Sequence, residues 1–230
     1  MADISLVKLG GVCAIVAVVG FVAAAIVWFV GVGQVDSDDV AQTLLAVNDN
    51  RAATLTSIWI FLFGSAMFIP VAALGFRQAL REAGAVLWVA VAAMFTGTLF
   101  WIGAAIINLS EAYELAPAYA EASGATKPTL FVVASILDRI SDLANEIGTL
   151  LILGIGLLLF VLAILRTSIV PKWVGWLGLF LVIVTWASTL GPVLDALGSL
   201  DDIAVVGFMV WIAIMGVVMF RLREPEAPSG

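Results

Sequence analysis

The chain has 230 residues, 63% hydrophobic and 12% charged, with a mean hydropathy of +1.17 and a formal net charge of −7. A water-soluble domain is about half apolar and about a quarter charged, so this composition excludes an ordinary soluble fold, and the lack of any basic patch excludes nucleic-acid binding. There is no histidine and one cysteine, Cys13, which rules out a Ser-His-Asp triad, the common haem ligand, His-based and thiolate metal sites and an intrachain disulfide.

About 20 apolar residues in a helix cross a hydrocarbon core of about 30 Å. Six such runs follow one another, at 6–32, 53–75, 84–109, 144–165, 173–194 and 203–220. They predict an all-α, polytopic transmembrane bundle of six helices, one domain over 1–223, followed by a disordered cytoplasmic tail at 224–230. Ala23-Ala24-Ala25 offers an A-x-A cleavage site, but the run from Leu9 to Val32 exceeds a signal h-region of about 7–15 residues. It is read as a retained first span.

The basic residues alternate sides. Lys8, Arg77, Arg81, Arg166, Lys172, Arg221 and Arg223 flank one end of the spans; Arg51, Lys127 and Arg139 flank the other. The first group lies in short flanks and tight turns, where the positive-inside rule applies. It predicts a plasma-membrane protein with both termini in the cytoplasm. Most acids fall on the opposite side, among them Asp36, Asp38, Asp39 and Asp49 in a first outer loop, read as running from Gly33 to Ala52, and Asp195, Asp201 and Asp202 in a third. Trp28, Trp59, Trp88, Trp173 and Trp176 sit near the span ends, as interfacial aromatic belts do. Trp186 and Trp211 fall deeper, where helix packing is expected of them.

Within the spans the polar groups are small. Ser65, Thr96, Thr98 and Thr185 lie near the midplane, where hydroxyls bond back to their own helix or link neighbours weakly. Lys8, Lys127 and Lys172 all sit at or beyond span ends, so none is placed for a buried Schiff base, and no GxxxxGK[ST] phosphate loop occurs. The pairs Ala93/Gly97, Ala144/Gly148 and Ala187/Gly191 permit close helix packing, by default inside the bundle. Pro70 and Pro192 are candidate kinks.

Residues 129–165 contain no breaker, and Pro128 stands like a first helical residue. Leu130, Val133, Leu137, Ile140, Ala144 and Ile147 recur at helical spacing, opposite a polar stripe of Ser135, Asp138, Asp142, Asn145 and Glu146, and Thr149. This predicts an amphipathic extension before the fourth span that either projects outward or bends near Asn145–Gly148 to lie at the surface. Asn108 and Glu111 end the third span at similar depth, and Arg51 precedes the second. With Asp138, Arg139, Asp142, Asn145 and Glu146 they form a candidate outer polar cluster able to take a cation or a polar head group.

The most recognisable stretch is Arg166-Thr-Ser-Ile-Val-Pro171-Lys172-Trp173-Val-Gly175-Trp176-Leu-Gly178. A basic residue closes one span, and Pro-basic-Trp-x-Gly-Trp-Leu-Gly opens the next. The stretch resembles small bacterial six-span integral membrane proteins grouped as a domain of unknown function, and span count and length agree. The resemblance implies the fold but no activity, cofactor or catalytic residue.

No catalytic, cofactor-binding or metal-ligating residue is therefore assigned. The leading expectation is a non-catalytic accessory, interaction or lipid-associated membrane component, with the lipid bilayer as its partner and protein partners or a homo-oligomer left open. The alternative is a small transporter or channel with an outward-facing acidic polar site. A membrane enzyme using Glu111, Asp142 and Glu146 as acid/base carboxylates comes third.

Overall fold

The structure is a computed structural model and describes residues 5–33, 39–189 and 200–222. The expected tail at 224–230, the loop acids Asp36, Asp38 and Asp195, and Gly191 and Pro192 lie outside the described residues. Among the described residues there is no strand. Seven helical rods follow one another: α1 Leu6–Gly31, α2 Val40–Asp49, α3 Arg51–Ala79, α4 Val86–Glu121, α5 Thr126–Arg166, α6 Lys172–Ser188 and α7 Leu200–Arg221.

Five of these are long and apolar enough to cross a membrane: α1, α3, α4, α5 and α7, the last over Ile203–Arg221. The apolar α6 has 17 residues, and the predicted span at 173–194 runs on into residues outside the described ones. Helices α4 and α5 are about 54 and 62 Å long at 1.5 Å per residue, well beyond a hydrocarbon core of about 30 Å. They pack antiparallel as a hairpin.

Local chemistry sets the ends. Ser5 caps α1, its hydroxyl accepting from the Lys8 amide at 3.4 Å. Asp39 caps α2 by accepting from the Gln42 amide at 3.0 Å, and the Asn50 side chain donates to the Ala46 carbonyl at 3.1 Å at its other end. The segment expected as a loop from Gly33 to Ala52 thus contains a helix, with Val40, Leu44 and Val47 on its packed face. Helix α5 begins at Thr126, so Pro128 is third rather than first; no intrahelical partner is lost, because the first four N–H groups of a helix have none. The Lys172 ammonium donates to the carbonyls of Ile164 at 3.3 Å, Leu165 at 2.6 Å and Thr167, capping the C-terminus of α5 from the first turn of α6.

Helix contacts are close wherever glycines meet. Gly10 and Gly20 of α1 face Gly75 and Gly64 of α3, and Gly11 faces Gly216 of α7. Gly97 of α4 meets Gly148 of α5, so these two members of the small-residue pairs pack inside the bundle. Gly175 and Gly178 let α6 lie against Leu165 and Val161 of α5, and the Trp211 indole, also against Gly178, donates to the Val174 carbonyl at 3.0 Å. The glycines of the 166–178 stretch are therefore contact positions.

The main core fills the half of the bundle nearer Lys8, Arg77, Arg166 and Lys172. Phe76 meets Phe160 and Trp211 edge-on, with centroids at 5.8 and 5.7 Å, and Phe208 stacks on Trp211. Trp186 departs from expectation: it is 50% exposed, although its indole donates to Gly154 at 3.3 Å. Thr98 and Thr185 bond back to Met94 and Leu181, as midplane hydroxyls should. Large apolar side chains such as Val19, Ile26, Phe95, Leu99, Phe180, Ile183 and Val210 are exposed on the outer faces of the bundle, the surface a lipid environment requires.

Three rods are irregular, α4 through a π turn at Glu111–Leu115. Helix α3 passes through a π turn at Phe61–Ser65 and a 3₁₀ turn at Ala66–Phe68 before Pro70, and the buried Ser65 hydroxyl has no hydrogen-bond partner. Helix α5 is α-helical through Asn145–Gly148, the place of the bend in one of the two expected arrangements, and becomes π-helical over Leu150–Leu157.

Candidate functional site

A crevice of about 470 Å³ opens in the half of the bundle opposite the main core, between α1, α2, α3, α4 and α5. Its wall is mostly apolar: Phe21, Ala24, Trp28 and Phe29 from α1, Leu44 and Val47 from α2, Ile58 and Phe61 from α3, Trp101 and Ala105 from α4. Its polar lining groups are Thr43, Thr54, Ser57, Asn108, Glu111, Asp138 and Asn145; Glu111 and Asp138 lie at the mouth, and Asn145 about 10 Å deeper along α5. From Glu111 to Trp101, α4 descends about 15 Å. At that depth Phe61 and Trp101 lie against each other, ring centroids 6.3 Å apart, and below them α4 closes on α5 at Gly97 and Gly148. The crevice is blind at this end.

Hydrogen bonds hold the walls. Ser57 of α3 donates to the Ala24 carbonyl of α1 at 2.9 Å. Ser141 of α5 donates to Asn108 Oδ1 at 2.9 Å, and the Trp101 indole donates to Thr149 Oγ1 at 3.3 Å. Two of the crevice's polar and aromatic residues are thus positioned by α5. The irregular turns lie at the same depth: the π turn of α3 starts at Phe61, and that of α5 one residue after Thr149.

Of the expected polar cluster, Asn108, Glu111, Asp138 and Asn145 line the crevice. Asp142 is exposed yet close enough that it and Asp138 act repulsively on Glu111. The other three do not line the crevice. Arg51 donates to the Tyr113 carbonyl at 2.7 Å and lies over the Tyr113 ring. Arg139 borders an outward apolar groove with Phe131, Val132, Ile136, Ile140 and Leu143. Glu146 is exposed. Among the described residues no three acidic or cysteine side chains are placed to hold a metal ion.

The orientation of α5 corrects the sequence reading. Leu130 and Leu137 pack on the cluster formed by α2 and the outer part of α4, but Val133 and Ile140 of the same expected stripe are 42% and 49% exposed. The face turned into the bundle carries Ala134, Asp138, Ser141, Asn145 and Thr149 instead. Of the polar stripe, Asp138, Asn145 and Thr149 turn inward, while Asp142 and Glu146 are exposed and Ser135 borders the outward groove. Sequence reasoning missed the apolar lining and the share of α2; the Val40, Leu44, Val47 spacing behind the Asp39 cap was the available signal.

A second cavity, of about 410 Å³, lies at the other end of the bundle between Ser5, Lys8, Arg81, Glu82 and Leu222. It borders the segments outside the described residues and receives no assignment.

No curated protein and no solved structure matches the chain. The family model described as a domain of unknown function, DUF4386, matches residues 9–222, and the chain belongs to that family.

Proposed function

We propose that the chain is a six-span plasma-membrane protein, with both termini in the cytoplasm, that binds an amphiphilic ligand in the crevice without transforming it chemically. One observation carries the ligand reading: a blind, mostly apolar crevice of about 470 Å³ with the carboxylates Glu111 and Asp138 at its mouth. Its shape fits a molecule with an apolar body and a polar head, and small-molecule sites are mostly apolar concavities with a few placed polar groups. Seven of the ten basic residues, Lys8, Arg77, Arg81, Arg166, Lys172, Arg221 and Arg223, support the orientation.

Ala105→Trp tests the binding site. Ala105 is 6% exposed on the crevice wall, and an indole there would occupy much of the space. Binding of a fluorescent single-chain lipid to the protein in nanodiscs is expected to fall by about tenfold or more. Unchanged affinity in a correctly folded variant would remove the crevice as the site.

Orientation is tested by cysteine labelling in a Cys13→Ala background. Ser123→Cys, between α4 and α5, should react with an impermeant maleimide added to whole cells, and Ser168→Cys, between α5 and α6, only after lysis. The reverse pattern would overturn the orientation.

A second reading, transport, is favoured by the helix irregularities. The π turns of α3 and α5 coincide with the crevice floor, and interrupted helices line the sites of many transporters. Accumulation of the same lipid inside proteoliposomes, abolished by Ala105→Trp, would favour transport over static binding; no accumulation by the wild type would reject it.

A further inference from the structure

Carboxylates stand at the rim with no basic side chain in the crevice lining. Glu111 is half-buried at the mouth of the crevice, with Asp138 beside it and Asp142 near enough to repel it. Three basic residues belong to this end of the bundle by sequence, and each has its contacts away from the crevice lining. Arg51 is bound to Tyr113, Arg139 borders the outward groove, and the Lys127 ammonium lies over the Tyr119 ring at 4.8 Å. Only Arg139 offsets Asp138, from outside the crevice.

Half-burial removes part of the water that would screen these carboxylates, so their mutual repulsion persists at short range. A cation arriving from outside relieves it. The site is poorly built for an inorganic cation, since among the described residues no three acidic or cysteine side chains converge as ligands. It suits a diffuse organic cation that keeps its charge near the rim while its body enters the crevice. The wall supplies Trp28, Phe61 and Trp101, whose rings bury the carbon of its body.

We infer that the ligand of this crevice is an organic ammonium amphiphile, its head held at Glu111 and Asp138 and its apolar body lodged between Trp28, Phe61 and Trp101. The inference rests on the reading of the crevice as a ligand site and adds the charge of the head. It leaves open whether the ammonium belongs to a membrane lipid or to a free amine, and the experiment separates these.

Hexyltrimethylammonium, its uncharged isostere 2,2-dimethyloctane and hexanoate serve as probes. Each is titrated into the full chain in nanodiscs of phosphatidylglycerol, with quenching of tryptophan fluorescence as the readout. The ammonium should bind at least about tenfold more tightly than the neutral probe, and the carboxylate weakest. Glu111→Gln should reduce the ammonium's affinity by about tenfold and leave the neutral probe unchanged. Asp138→Asn should act in the same direction, which guards against a fold-specific failure of the first variant. Equal binding of the charged and neutral probes, insensitive to both substitutions, would overturn the ammonium head while leaving the crevice as an apolar site. No binding of any probe, with wild type and Ala105→Trp alike, would overturn the crevice reading and the ammonium inference with it. Repeating the titration in nanodiscs of phosphatidylcholine and of an uncharged glycolipid, neither with a net surface charge, identifies the source: weaker binding of the free ammonium in phosphatidylcholine means that the lipid's own head competes, and equal binding means that the site prefers a free amine.

Discussion

Gly20→Leu is expected to abolish the folded bundle. Gly20 and Gly64 bring the backbones of α1 and α3 together, and a Cβ at Gly20 would fall on the Gly64 carbonyl and 2.8 Å from its Cα. The obstacle is backbone, so no rotamer change relieves it and the helices must separate. Separation strains two further contacts of the same interface. Gly10 would have its Cβ 2.5 Å from the Gly75 Cα, which shows how close the crossing is two to three turns away, and Ser57 donates to the Ala24 carbonyl at 2.9 Å. A single added methyl, in Gly20→Ala, should already cost about 1–3 kcal/mol as an overpacking change. The larger leucine should leave little monodisperse protein after extraction in a mild detergent. Gly103 offers the control: nothing lies within 4 Å of a Cβ built there, so Gly103→Leu should behave as wild type. A Gly20→Leu protein that elutes as wild type and melts within about 2 °C of it would show that the α1–α3 crossing is not the close contact described.

Phe76→Ala should be the most damaging truncation in the core. Phe76 is 1% exposed and makes edge-to-face contacts with Phe160 and Trp211, with interplanar angles of 88° and 87°. It therefore joins α3 to α5 and α7 through aromatic rings. In a bilayer the surroundings of the separated helices are as apolar as the core, so burial itself contributes little. What is lost is dispersion contact and the edge-to-face geometry. The cavity alone sets the cost at about 2–3 kcal/mol, read from unfolding in mixed micelles of a mild detergent and sodium dodecyl sulfate. Phe76→Leu, which keeps part of the volume, should cost about half as much. A loss below about 1 kcal/mol for Phe76→Ala would mean that the neighbouring helices collapse into the space. This cluster also sits below the crevice floor, so a transport cycle that opened inward would have to part these rings.

Some contacts were readable before any fold was known. The midplane threonines Thr98 and Thr185 bond back within their helices because a hydroxyl in hydrocarbon has no water to turn to. Gly97 and Gly148 were among the small residues singled out, and they meet each other. The closest crossings, Gly10 with Gly75 and Gly20 with Gly64, were not legible, since they lie far apart in the chain and follow no local motif. Helix α2 hid in a segment rich in Asp and Asn, because the same residues that favour turns also cap helices.

The rotation of α5 was the part least legible in the sequence, and the cause is the solvent. In water, hydrophobic periodicity identifies the buried face; at a membrane the outside is apolar too, so the same stripe can face either way. Its polar residues Asp138, Ser141 and Asn145 turn inward toward a crevice that only the meeting of five helices creates.

What the sequence by itself determined is the class of the protein: apolar helices, small polar groups within them, basic residues at one set of ends and acids at the other. These follow from composition and period, which act locally along the chain. The tertiary structure alone decided that Asn108, Glu111, Asp138 and Asn145 line one crevice while Arg51, Arg139 and Glu146 do not. That choice depends on the rotation of each helix about its axis, which is set by glycine crossings and interhelical hydrogen bonds between residues distant in sequence.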